Sequence, residues 1–131
     1  MIDRHLTTEI ESHTGKRKAI VVTGARQVGK TTLLQALFGE QEESVWLNAD
    51  EQPVRERLSI LSVESLRGVI GNKKIVVIDE VQRIENAGLL LKILVDNFPE
   101  VQVFATGSSS IGISDSIFEP LTGRQFLFHL F

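Results

Sequence analysis

The sequence predicts an α/β fold built on a mostly parallel, five-stranded sheet. Three observations carry that prediction. Short apolar runs alternate with longer amphipathic stretches along all 131 residues, the pattern of strands joined by crossover helices. Two of the runs, Ala19-Ile20-Val21-Val22 and Ile75-Val76-Val77-Ile78, are continuously apolar, as strands buried on both faces require. A glycine-bearing segment, Gly24 to Thr31, stands between the first run and a helical stretch.

The elements follow in order. Residues 3–14 suit a short amphipathic helix stopped by Gly15, so residues 1–17 form a helical lead-in and 18–131 the core. After the first strand, helix signals run from Lys30 to Phe38, with Gly39 as the stop. Ser44 to Asn48 reads as the second strand. Residues 53–70 read as helix in two pieces, with Leu58, Leu61, Leu66 and Ile70 inward. The third strand is 75–78, followed by a leucine-rich helix over 86–98 that Pro99 ends. Val101 to Ala105 is the fourth strand, 109–123 is irregular, and Gln125 to Phe131 is the fifth strand.

Composition narrows the function classes. Hydrophobic residues are 42% and charged residues 24%, ordinary for a globular core. The net charge of −3 argues against wholesale electrostatic binding of nucleic acid. Lys16-Arg17-Lys18 is the only dense basic run and reads as a solvated lead-in. With no cysteine, disulfides, thiolate zinc sites and a cysteine nucleophile are excluded. His5, His13 and His129 lack metal-ligand spacing. Trp46 and the phenylalanines 126, 128 and 131 read as core. No signal peptide or membrane-spanning run is visible, so the expected setting is cytoplasmic.

Gly24-Ala25-Arg26-Gln27-Val28-Gly29-Lys30-Thr31 matches G-x-x-x-x-G-K-[ST] without a deviation, in strand-loop-helix context. The glycines permit backbone angles and close approaches that a Cβ would block. Main-chain N–H groups then converge on phosphate oxygens at a helix N-terminus. Lys30 supplies a cation for the β- and γ-phosphates, Thr31 a hydroxyl for Mg²⁺, and Thr32 lies near the α-phosphate. The fold expected is therefore a P-loop NTPase three-layer sandwich.

Ile75-Val76-Val77-Ile78 ends in Asp79-Glu80. Ligands of parallel sheets collect at carboxyl strand ends, so Lys30 and Asp79 are expected at one crevice. Asp79 suits Mg²⁺, a hard cation that takes oxygen ligands. Glu80 is placed to polarise an attacking water, which points to hydrolysis. Ras-like GTPases carry D-x-x-G and N-K-x-D signals; neither is present, and Asn72-Lys73-Lys74-Ile75 lacks the aspartate. ATPases with the extra glutamate insert a strand between the loop strand and the aspartate strand, which predicts the spatial order 5-1-4-3-2. The tip of strand four then faces the γ-phosphate, making Thr106 and Ser108 candidates to orient water or sense phosphate. Asn48, ending strand two, is a candidate to hold Glu80 back until a partner binds. Arg26 and Arg83 read as mainly solvent-facing.

Four segments, Thr23 to Leu34, Asp79-Glu80-Val81-Gln82-Arg83, Thr106-Gly107-Ser108-Ser109 and Leu121-Thr122-Gly123-Arg124, resemble a family of prokaryotic AAA-type ATPases. The resemblance covers residues 18–131 and implies ATP, Mg²⁺ and a prokaryotic cytoplasm. It implies that Arg124, immediately before strand five, is an arginine finger given to the ATP of a neighbouring copy in a homo-oligomer. In that family the core precedes a C-terminal domain of undefined role, so the chain is expected to be a core whose C-terminal domain is missing. A helical lid with a second sensor arginine is expected to be missing with it. The function expected is Mg-dependent ATP hydrolysis that drives or gates an attached domain or partner protein. The alternative is a nucleotide-gated switch or adaptor with little turnover. A P-loop kinase is disfavoured, because residues 109–124 hold one arginine where such enzymes carry an arginine-rich lid.

Overall fold

The computed structural model describes residues 19–24, 43–108 and 125–130, with backbone alone at 23, 24, 108 and 125–130. The lead-in, the Lys30–Phe38 helix and the 109–123 segment lie outside the described residues. So does the phosphate loop beyond Gly24.

Five strands form one parallel sheet. They are β1 (Ala19–Gly24), β2 (Ser44–Asn48), β3 (Ile75–Asp79), β4 (Gln102–Ser108) and β5 (Gln125–Leu130). Their spatial order is β2-β3-β4-β1-β5, the expected 5-1-4-3-2 counted from the other edge. All four pairings are parallel. The β3 strand is buried at all five positions, whereas β2 is half-buried at all five. The difference follows from position, because β3 has a strand on each side and β2 is an edge.

Three helices are described. α1 (Gln52–Leu58) carries Pro53 in its first turn, where the missing N–H costs nothing. Arg55 ties it to the end of β2, donating from Nη1 to the carbonyls of Ala49 and Asp50 at 2.8 Å each. α2 (Val63–Ile70) is capped by Ser62, whose hydroxyl accepts the Ser65 N–H at 3.0 Å, and carries Glu64 at its positive end. It ends at Gly71, whose φ of 61° favours glycine. α3 (Ala87–Asn97) buries Leu90, Leu91, Leu94 and Val95. Two helices therefore occupy the stretch read as two pieces. Leu58, Leu66 and Ile70 are buried and Leu61 packs against the core.

One core joins these helices to one face of the sheet: Val21, Val76, Ile78, Val103 and Ala105 pack with Leu66, Ile70, Leu90, Leu91 and Leu94. The opposite face is also covered, since Ile20, Val22, Val77 and Phe104 have no exposure. Coverage on both faces is the layered arrangement the apolar runs predict. Each of the buried valine, leucine, isoleucine and phenylalanine side chains contributes roughly 1.5–3 kcal/mol. The Arg67–Glu100 ion pair, at 2.8 Å, is solvent-exposed and screened, so it adds little. Apolar burial, rather than ion pairing, docks α2. Arg67 adds a stacking contact, its guanidinium 4.4 Å from the centre of the Phe98 ring.

Candidate active site

The carboxyl edge of the sheet gathers the candidate residues. Gly24, the first glycine of the phosphate loop, ends β1 and pairs in register with Ser108 at the end of β4. Thr106, Gly107 and Ser108 thus belong to the strand and pair with Val22, Thr23 and Gly24. This corrects the expectation that β4 ends at Ala105. Small residues there let the ladder run on to the level of the loop. On the other side of β4, Ile78 pairs with Ala105, which sets Asp79 beside Thr106. Asn48 pairs with Asp79 from β2. One row across the sheet therefore reads Asn48, Asp79, Thr106, Val22.

Asp79 and Glu80 are 8% and 3% exposed, and Thr106 is fully buried. Carboxylates so enclosed require polar partners. The Thr106 hydroxyl donates to Asp79 Oδ1 and accepts the Glu80 main-chain N–H at 3.0 Å. A single hydroxyl is thus used in both senses, and in this arrangement it is committed to the acid pair. Glu80 has φ 56° and ψ 47°, the left-handed region, which costs a non-glycine residue about 1–2 kcal/mol. Strain of this kind concentrates at functional positions. It turns the chain out of β3 into a 3-10 turn over Val81–Arg83, which apolar periodicity does not reveal. That turn returns Gln82, whose Nε2 donates to Glu80 Oε1 at 2.8 Å.

Asn48 is used differently from the expectation. Its Oδ1 accepts the Asp50 N–H at 3.0 Å, an Asx turn that closes the β2 end. The glutamate is held by Gln82, which sequence reasoning missed; only its place two residues after Glu80 pointed to it. Arg83 is about half exposed and sits with its Nε 3.4 Å from the Asp50 carboxylate. It lines an open cleft of about 330 Å³ with Gln52, Arg55, Glu56, Ser59 and Glu85. Trp46 is half-buried on β2 and stands outside the core that Val45 and Leu47 pack against, which corrects its reading as a core residue. Ala25, Arg26, Gln27, Val28, Gly29, Lys30, Thr31, Thr32 and Arg124 lie outside the described residues. Backbone pairing nevertheless locates the start of β5, since Gln125 pairs with Ala19, at the far end of β1 from Gly24.

The donors present suit magnesium. They are hard oxygens, the Asp79 carboxylate and nearby hydroxyl and carboxylate groups, at a strand end. Among the described residues no group of three or more His, Cys, Asp or Glu side chains could hold a metal alone. Magnesium commonly uses one or two carboxylates and completes its shell with phosphate oxygens and water. Among the described residues no helix is long and apolar enough to cross a membrane.

Residues 16–131 match a family model described as an AAA domain. The chain belongs to that AAA domain family. Solved structures share its fold. The Walker-type ATPase of Pyrococcus abyssi superposes with a TM-score of 0.61 at 17% identity, over 100% of this chain and 54% of that one. A chain of the Drosophila ORC bound to DNA gives 0.60 at 11% identity, over 96% and 87%. PCH-2 of C. elegans gives 0.61 at 18% identity, over 98% and 43%. The AAA domain thus spans about half the length of the Pyrococcus ATPase it matches. No curated protein matches its sequence.

Proposed function

We propose that this AAA domain binds Mg-ATP and hydrolyses it, and that hydrolysis drives or gates an attached domain or partner protein in a prokaryotic cytoplasm. The observation that carries the reading is the placement of Asp79 and Glu80 at the carboxyl end of β3. There they share a sheet edge with Gly24, where the phosphate loop begins. Residues 24–32 cradle the phosphates through main-chain N–H groups, with Lys30 on the β- and γ-phosphates. Asp79 and Thr31 hold the magnesium ion, which when bound neutralises phosphate charge. Glu80 accepts the proton of the attacking water. Ser108, whose backbone pairs in register with Gly24, is the γ-phosphate sensor in this reading. Thr106 serves the same end by aligning both acids.

Arg124 acts in this scheme only on a second copy. Ala19 and Gly24 are five positions apart, about 16 Å along a strand, and Arg124 precedes in sequence Gln125, the partner of Ala19. The finger role is therefore read as one exercised on the ATP of a second copy in a homo-oligomer. Nothing in the charge balance supports a nucleic-acid partner.

A second reading is a nucleotide-gated switch with little turnover. The near-complete burial of the Glu80 carboxylate favours it. Steady-state phosphate release by the wild type and by Glu80→Gln decides between the two. Hydrolysis predicts a loss of at least about 10²-fold with ATP binding retained; equal release by both proteins rejects Glu80 as the base.

A further inference from the structure

We propose that Gln82 is the positioning residue for Glu80, its side-chain amide fixing where the carboxylate stands. The inference rests on the reading of Glu80 as the base. Glu80 is held at two points. Its main-chain N–H is bonded to Thr106 Oγ1 at 3.0 Å, and its Oε1 to Gln82 Nε2 at 2.8 Å. A glutamate side chain has three rotatable bonds, and anchoring both ends removes most of their freedom before reaction.

The backbone is arranged for the second anchor. The left-handed Glu80 opens the 3-10 turn. Arg83 N then donates to the Glu80 carbonyl at 3.0 Å and Ile84 N to the Val81 carbonyl at 3.0 Å. This tight turn is what lets a side chain two residues along return to the carboxylate. Gln82 Oε1, in contrast, is buried with no hydrogen-bond partner among the described residues. A buried acceptor left so is unfavourable. The contact this amide makes is the one its N–H₂ donates to Glu80. The side-chain contact of Asn48 is local, its Oδ1 accepting the Asp50 N–H.

Gln82 reaches the reaction through Glu80, so its removal should alter turnover rather than nucleotide affinity. The test is Gln82→Met in the full chain, a substitution of similar size without a donor. The expected result is a kcat about tenfold lower, with KM for ATP and the Kd of a non-hydrolysable analogue within about twofold of wild type. In a Glu80→Ala background, Gln82→Met should give no further loss of hydrolysis. In nucleotide-free protein, the urea unfolding midpoints of the same four proteins should be non-additive. If Gln82→Met does not fold, Gln82→Glu carries the test with a like charge in place of the donor, and its kcat should fall further. If Glu80→Ala hydrolyses ATP as the wild type does, the base assignment fails and this inference with it. If Glu80→Ala is inactive but Gln82→Met keeps wild-type kcat, or changes only KM or stability, the positioning role alone is overturned.

Discussion

Thr106 on β4 donates its hydroxyl to the carboxylate of Asp79 on β3. The same oxygen accepts the N–H of the next residue, Glu80. One buried hydroxyl thus sets both acids of the candidate site, and its removal has a calculable consequence. Thr106→Val keeps the shape and leaves a buried N–H and a carboxylate oxygen short of a partner. It should lower unfolding free energy by about 1–3 kcal/mol, measured by urea denaturation. Mg-nucleotide affinity should fall by roughly 10–100-fold, as when a supporting hydrogen bond to a metal ligand is lost. Thr106→Ser should retain most of both.

Glu80 occupies left-handed backbone, and this makes an unusual order of stabilities. Glycine is ordinarily the less stable substitution, but here it has no Cβ to strain. Glu80→Gly should be more stable than Glu80→Ala by roughly 1 kcal/mol. Thermal or urea unfolding of the two proteins checks it; the reverse order would mean the turn relaxes when the side chain is removed.

In the proposed function Lys30 is the cation that meets the phosphates. Lys30→Ala should weaken ATP binding by roughly 10–100-fold, matching the 1.5–3 kcal/mol of a hydrogen bond to a charged group. Calorimetric titration with ATP and magnesium measures this directly, and stability should be unchanged.

Glu100, in the turn between α3 and β4, has its carboxyl held below the ordinary 4.5 by a backbone hydrogen bond at Glu100 and by the hydrogen bond from Arg67. A depressed carboxyl contributes stability that is fully present above its unfolded value and lost as pH falls through the folded one. Glu100→Gln should therefore lower stability slightly near neutrality, where the wild type has the whole contribution, and converge with the wild type as pH falls below about 4.5. The group is exposed, so the effect is small and diminishes with salt.

Strand assignment and order were legible in the sequence because parallel strands buried on both faces read as unbroken apolar runs. Asp79-Glu80 was legible because two carboxylates close such a run. The extension of β4 was not, since Thr106-Gly107-Ser108 has the composition of a loop and pairs as a strand only beside β1. The role of Gln82 was hidden for a related reason. A glutamine after an acid pair reads as surface until the left-handed turn at Glu80 returns it to the carboxylate. Asn48 was placed correctly at the strand end, opposite Asp79, yet its amide serves a local turn.

By itself the sequence determined the types of the described strands and helices, the strand order and the AAA frame. Those depend on apolar periodicity and on short contiguous patterns. Only the tertiary structure decided what each polar side chain does with its hydrogen bonds. Thr106 meets Asp79 from 27 positions away, because the register of β3 against β4 sets them side by side. Partner choice there is fixed by sub-ångström geometry and burial, and neither is written in local sequence.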